Sequence, residues 1–171
     1  MSNNIIVREF SPDEWASYRD LRLRSLADSP DAFGRTLAEE QQRSDDEWSV
    51  RLSSGVTSDT DLPLVAEEDG EPVGLAWGRI EPSAPDTANL YQMWVSPGYR
   101  SRGTGARLLE SVISWATSKK AKRLELGVTL RDSPAFRLYR RSGFLPVGGP
   151  QMFRTGSDLL GQTMRLELDP A

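Results

Sequence analysis

The 171-residue chain predicts a mixed α/β fold built on one sheet flanked by helices, and three observations predict it. Short β-branched runs and longer runs with helical apolar spacing follow one another in the order β, two or more α, three β, α, β, α, β, β. Apolar residues make up 37% and charged residues 27%, the balance of a soluble globular domain. No internal repeat and no Pro/Gly/Ser-rich linker interrupts the pattern, so one domain over residues 1–171 is expected.

Ile5 to Phe10 reads as the first strand. Ser11-Pro12-Asp13-Glu14 supplies an N-cap serine, a proline at the first helical position and a glutamate at the third. The helix it predicts carries Trp15, Tyr18, Leu21 or Arg22, and Leu26 inward, and stops near Ser29-Pro30. One or two short helices are expected between Asp31 and Gly55, anchored by Trp48 and Leu52. Leu62–Glu68 and Val73–Ile80 flank Asp69-Gly70, a hairpin signal. Glu81–Ala88 reads as a loop, and Leu90–Val95 as the next strand, ended by Ser96-Pro97-Gly98. Gly103 to Lys119 forms a long amphipathic helix with Leu108, Leu109, Val112, Ile113 and Ala116 inside. Arg123–Thr129 alternates as a strand, and Pro134–Ser142 is a helix closed by Gly143. Phe144–Val147 and Thr163–Leu168 are the last strands, joined by a Gly-rich polar loop.

Several functions are excluded at once. The chain has no cysteine and no histidine. Disulfides, Cys/His metal sites, Cys–His or Ser–His–Asp catalysis and an acyl-cysteine intermediate are therefore ruled out. A net charge of −4 argues against general nucleic-acid affinity. No apolar run approaches the ~20 residues that span a bilayer, and the N-terminus lacks a secretory stretch. A cytoplasmic protein is the expectation. Charge is unevenly spread: Asp13–Asp69 holds 15 acidic and 6 basic residues, whereas Gly98–Arg141 holds 11 basic and 3 acidic. Two solvated faces account for this; so do an anion site in the second segment and a cation-tolerant site in the first.

The most informative stretch runs from Val95 through Ser96-Pro97-Gly98-Tyr99-Arg100-Ser101-Arg102-Gly103-Thr104-Gly105-Ala106 to Leu109. A strand ends, two arginines and two glycines form a short loop, and a long helix begins. Free N–H groups at a helix N-terminus favour an anion, and a pyrophosphate fits the pattern. A tight strand-to-helix turn with solvated arginines fits it as well. A P-loop would need Gly-Lys-Ser/Thr, and no lysine occurs here. A Rossmann fingerprint would need a third glycine where Leu108 stands, although Glu125 does lie twenty residues after Gly105.

Arg100-x-x-Gly103-x-Gly105, after a strand ending in Val95-Ser96-Pro97, resembles the acyl-CoA pyrophosphate signature of the GCN5-related N-acetyltransferase (GNAT) family. Ala135-Phe136-Arg137-Leu138-Tyr139-Arg140-Arg141-Ser142-Gly143-Phe144 resembles that family's Ala-x-x-Leu-Tyr-x-x-x-Gly-Phe segment. The resemblance covers about residues 72–147 as an acyl-CoA-binding core and leaves about 11–60 as a variable acceptor-side segment. It implies a mixed, mostly antiparallel central sheet whose fourth and fifth strands splay apart. Acetyl-CoA would lie in the gap as acyl donor, with no metal. Its pyrophosphate would sit on Arg100, Ser101, Arg102, Gly103, Thr104, Gly105 and Ala106, and its pantetheine amides on the backbone of Met93, Trp94 and Val95. Tyr139 is implied as the general acid that protonates the leaving thiolate; a buried core tyrosine is the competing reading.

Two departures from the family pattern stand out. Asp132 occupies a position where the family often has Asn, and is either a cofactor contact or a helix-start residue favoured by the dipole. The strand Asn89–Val95 carries no carboxylate to act as base. Glu39, Glu40, Glu81, or a water held by Gln92 or Tyr91 are the alternatives. Trp15, Tyr18, Trp48 and Trp77 are expected in the core, while Phe33 and Tyr91 are expected to line the acceptor site. The expected activity is acetyl transfer to a primary amine by direct attack in a ternary complex, the acidic first segment favouring a cationic acceptor. A non-catalytic acyl-CoA-binding module of the same fold is the rival reading, and the chain is expected to be a monomer or homodimer.

Overall fold

A computed structural model describes residues 4–152 and 158–168. Its elements are β1 (Ile5–Glu9), α1 (Trp15–Asp28), α2 (Leu37–Gln41), α3 (Asp45–Thr57), β2 (Asp61–Glu68), β3 (Glu71–Ile80), β4 (Thr87–Val95), α4 (Thr104–Ser118), β5 (Arg123–Thr129), α5 (Pro134–Arg141), β6 (Leu145–Met152) and β7 (Leu160–Glu167). The strands form one open sheet in the order β1-β2-β3-β4-β5-β7-β6. Every neighbouring pair is antiparallel except β4 and β5.

Alternation along β2 and β3 sends side chains to two cores. Leu64, Ala66, Val73 and Ala76 pack under α4 with Leu108, Leu109, Val112, Leu124, Phe144 and Met164. Val65, Leu75 and Trp77 face the other way, where Tyr18, Leu21 and Leu26 of α1 and Trp48 and Leu52 of α3 close over them. Asp69 and Gly70 both take positive φ (53° and 84°) in the β2–β3 turn, as the hairpin signal requires.

Several boundaries differ from the sequence expectation, β4 for one beginning at Thr87 within the expected loop. α1 starts at Trp15, and Ser11 does not cap it. The Glu14 carboxylate is drawn instead to Arg8 of β1, at 2.8 Å, while also accepting the Ser11 N–H at 2.7 Å. Ser11–Glu14 thus forms a turn tied to the sheet. β6 continues through Gly148, Gly149 and Pro150 to Met152, and β7 begins at Leu160, so the expected Gly-rich loop is extended strand at both ends, paired again at Gln151↔Gly161 and Met152↔Leu160 after an unpaired stretch. Residues 153–157 of that loop lie outside the described residues.

The sheet divides where function is expected. β4 and β5 pair only from Thr87↔Arg123 to Leu90↔Leu126. Beyond Leu90 they part, and at that point β4 carries a bulge: the register with β3 shifts between Leu75 and Trp77, and Gln92 adopts φ 58°. A bulge bends its strand and re-aims side chains and backbone groups. Tyr91 to Val95 and Gly127 to Thr129 therefore face each other across an open gap.

Candidate active site

A cavity of about 710 Å³ opens from this gap, within the size range of small-molecule sites. The strands contribute Tyr91, Gln92, Met93, Gly127, Val128 and Thr129; α5 contributes Ala135 and Tyr139. The wall opposite comes from α1, the α1–α2 loop and α3: Arg22, Phe33, Gly34, Arg35, Arg51 and Ser54. Asp61 of β2, and Trp77 and Arg79 of β3, line it as well.

Tyr139 is 5% exposed, stacked at a tilt on Phe144 with ring centroids 5.8 Å apart. Its hydroxyl makes no hydrogen bond to another described residue, and burial pushes its pKa above the usual phenol value. The phenol is a protonated donor bordering the cavity. Tyr91 is 47% exposed, and burial of the rest of its ring raises its pKa too. Gln92 is held by the Tyr18 hydroxyl, which donates to its Oε1 at 2.8 Å, so the bulge is pinned from beneath.

The turn before α4 lies at the other end of β4. Ser101 (φ 63°) and Gly103 (φ 85°) are both left-handed. The N–H groups of Ser101 to Ala106 have no backbone acceptor among the described residues, as helix starts leave them. Thr104 is buried, and its Oγ1 has no partner. Amides and a hydroxyl at a helix N-terminus with no partner among the described residues fit a phosphate group. Met93 joins the two regions: its side chain lies against Gly105 and also lines the cavity.

The glycines serve differently from one another. Gly103 supplies the positive φ, with open space around it. Gly105 makes room for the protein's own α5: a Cβ there would lie 3.3 Å from Leu138 Cδ2. The arginines of the turn are engaged within the chain. Arg100 donates to Val95 O at 2.9 Å and to Asp28 Oδ2 at 2.7 Å, and Arg102 pairs with buried Glu68 at 2.6 Å. Trp94 Nε1 donates to the same Asp28 carboxylate, and its indole is buried with the core residues of α1, outside the cavity lining. Asp132 is exposed and paired with Arg137 at 2.8 Å, outside the cavity lining. Ser133 lines the cavity in its place and caps α5 by accepting the Phe136 N–H at 3.1 Å.

None of the three glutamates considered as a base lines the cavity. Glu39 closes a capping box with Thr36, and that hydrogen bonding lowers its pKa. Glu81 is paired with Arg79 and is held low by it. Glu40 is wholly buried; burial pushes its pKa up, but the Arg43 hydrogen bond and the charges of Arg51, Arg43 and Arg22 outweigh it. Asp61 is the lining carboxylate, and it accepts from Trp77 Nε1 at 2.9 Å and from Arg79 at 3.1 Å.

Sequence reasoning missed the cavity's basic character. Arg22, Arg35, Arg51, Arg79 and Arg131 line it against one carboxylate. Of the acidic residues in 13–69 only Asp61 lines the cavity, since most of the other carboxylates are exposed on α2 and α3 or held in ion pairs. No local pattern marks these arginines; they come from five separate parts of the chain.

The fold and site define an open α/β sheet parted in the middle, with a helix start whose amides are unpaired at one end of the parting and a cavity at the other. Residues 15–144 match the acetyltransferase (GNAT) family, and the chain belongs to it. It is 26% identical over 179 aligned residues to a mycothiol acetyltransferase of Acidothermus cellulolyticus, covering 95% of this chain and 51% of that protein. It is 38% identical over 72 residues to an L-2,4-diaminobutyric acid acetyltransferase of Nocardia farcinica, covering 42% and 37%. The chain thus spans about half the length or less of these curated relatives. Among solved structures, a GNAT acetyltransferase from Streptococcus pneumoniae superimposes with a TM-score of 0.79 at 20% identity over 97% of this chain and 100% of that one. A putative acetyltransferase from Salmonella typhimurium, solved with its cofactor acetyl-CoA, gives 0.80 at 20% identity over 97% and 95%. At that identity the likeness is one of fold.

Proposed function

We propose that the protein is an acetyl-CoA-dependent N-acetyltransferase acting on a primary amine by direct attack in a ternary complex. The observation that carries this reading is the parted pair of strands, with unpaired amides at the α4 turn and a protonated Tyr139 on the same gap. Acetyl-CoA supplies the acetyl group and the leaving thiolate. Amides of Ser101 to Ala106 and the Thr104 hydroxyl hold its phosphates, and backbone groups of Met93, Trp94 and Val95 hold its arm. The bulge at Gln92 presents strand N–H groups that polarise the thioester carbonyl. Fixing both reactants in one cavity supplies the orientation that makes a bimolecular step efficient.

Tyr139 donates its hydrogen bond to the sulfur as the C–S bond breaks and the C–N bond forms. Its raised pKa makes it a weak acid, so it stabilises the thiolate first, and the proton follows from solvent. The amine enters uncharged and gives up its second proton to water at the mouth beside half-exposed Tyr91. Phe33 belongs to the acceptor wall. A cytoplasmic setting belongs to the same reading.

Free-thiol release from acetyl-CoA across an amine panel tests this, and release that requires an amine is the expected result. The lack of a free carboxylate in the lining favours a second reading, a binding module without turnover. That reading prevails if CoA binds and no amine is acetylated. Thermal stabilisation by NAD or ATP but not by CoA would reject both.

A further inference from the structure

We infer that the acceptor carries a carboxylate, held in the cavity by Arg22; this rests on the acetyl-transfer reading above and names its substrate class.

Arg22 lies on α1 and is 3% exposed, yet it lines the cavity. Buried arginines are normally matched by a carboxylate, because an unpaired charge in a dry site is costly. Among the described residues Arg22 has no ion pair. Its single recorded hydrogen bond is a long one, Nη1 to Ser25 Oγ at 3.5 Å, and its buried Nε has no partner. The guanidinium stacks 4.7 Å from the centre of the Phe33 ring, which fixes its plane and leaves its edge to bind. Burial lowers its pKa, and the pull of Tyr18 and Glu40 offsets that only in part.

The other arginines of the wall are accounted for. Arg51 donates to Glu40 at 3.0 Å, and Arg35 stands 3.9 Å from the same carboxylate. Arg79 is paired with Asp61 and Glu81, and Arg131 with Asp31 at 3.5 Å. Arg22 is thus the wall arginine with no carboxylate at ion-pair distance: the charge of Glu40 acts on it only from farther away, and one further carboxylate could pair with it directly. A planar carboxylate meets the guanidinium fork with two parallel hydrogen bonds, whereas a doubly charged phosphate would exceed the available charge. The acceptor amine then points from this anchor toward the strand gap.

The test pairs amines that differ only in the acid group, such as 4-aminobutyrate with propylamine and lysine with cadaverine. Both kcat/KM for thiol release and calorimetric affinity in the presence of CoA are measured. Carboxylate-bearing amines should be favoured by at least about 30-fold, the low end of what a desolvated charge partner contributes. Arg22→Met removes the charge at similar volume, so it should melt no lower than wild type, and the ratio within each pair should collapse toward one. Arg22→Lys keeps the charge, loses the fork and should recover only part of the ratio.

Equal values within the pairs overturn the inference, as does a preference for O-phosphoethanolamine over the amino acids. Undiminished discrimination in folded Arg22→Met overturns it equally. Absence of turnover with intact carboxylate binding would remove the transfer reading and leave the anchor standing.

Discussion

Replacing Tyr139 with phenylalanine separates chemistry from packing. The ring is 5% exposed and rests on Phe144, and those contacts survive the change. No described residue accepts from the hydroxyl, so removing it strands no buried partner and should alter stability by less than about 0.5 kcal/mol. Its effect on rate follows from what the phenol can give. Positioned acids contribute about 10²- to 10⁴-fold, and a donor aimed at developing charge contributes about 10²- to 10³-fold. A phenol whose pKa is raised by burial transfers its proton reluctantly and acts mainly as a hydrogen-bond donor. The lower end, about 10²-fold in kcat, is the expected loss. Single-turnover thiol release at saturating acetyl-CoA isolates that step, and KM for acetyl-CoA should stay within about 2-fold because the phosphate contacts are elsewhere. Since the active form is protonated and the pKa is raised, wild type should show no falling limb from this group at or below the ordinary phenol value of 10. A wild-type single-turnover rate in the variant would refute the assignment.

Three further outcomes follow from local geometry. Gly55→Ala should destabilise by about 1–3 kcal/mol, because its Cβ would collide with Trp77 Cζ2 while the indole is tied to Asp61; chemical denaturation measures it, and an unchanged midpoint would contradict the packing. Gly103→Ala should cost about 1 kcal/mol through the left-handed backbone and weaken CoA binding, read by melting with and without CoA; full CoA stabilisation in the variant would detach the turn from the phosphates. Glu14 is held to a pKa of about 2 by Arg8. Its depressed folded pKa means that its stabilisation is complete above the ordinary value near 4.5 and is lost as pH falls through 2. Glu14→Gln should therefore be less stable at pH 7 by about 1 kcal/mol, discounted for partial exposure, and the difference should shrink between pH 4.5 and 2; a gap that ignores pH would assign the effect elsewhere.

Elements set by local chemistry were readable in the sequence: the Asp69-Gly70 hairpin, the apolar stripe of α4, and the Gly143 stop after α5. The start of α1 was not: Glu14 is bound to Arg8 of β1 as well as to the Ser11 N–H, which holds Ser11–Glu14 as a turn ahead of the helix, and Ser11 does not cap it. Glu39 could have been placed: Thr36-x-x-Glu39 is a capping-box pattern, and Ser44-x-x-Glu47 repeats it. Phe33, Tyr91, Met93 and Tyr139 of the cavity lining were named from the sequence, but Gly127, Val128 and Thr129 of β5 were not. Its arginine wall was not, because residues 22, 35, 51, 79 and 131 meet only once the chain is folded, and the net charge of a segment does not say which way its side chains point.

An open sheet ordinarily exposes two borders to strangers, here β1 and β6. By parting β4 from β5 this one gains two more, recessed between its own helices. Their unspent amides and carbonyls are the same groups by which misfolded chains adhere to one another, and a bound extended molecule would act as a missing eighth rung. Whatever fills the cleft also guards it: a ligand at 100 times its dissociation constant adds about 2.7 kcal/mol to the folded state. Resistance to proteolysis and to clumping should then track the supply of that ligand, making the protein's lifetime a gauge of its substrate.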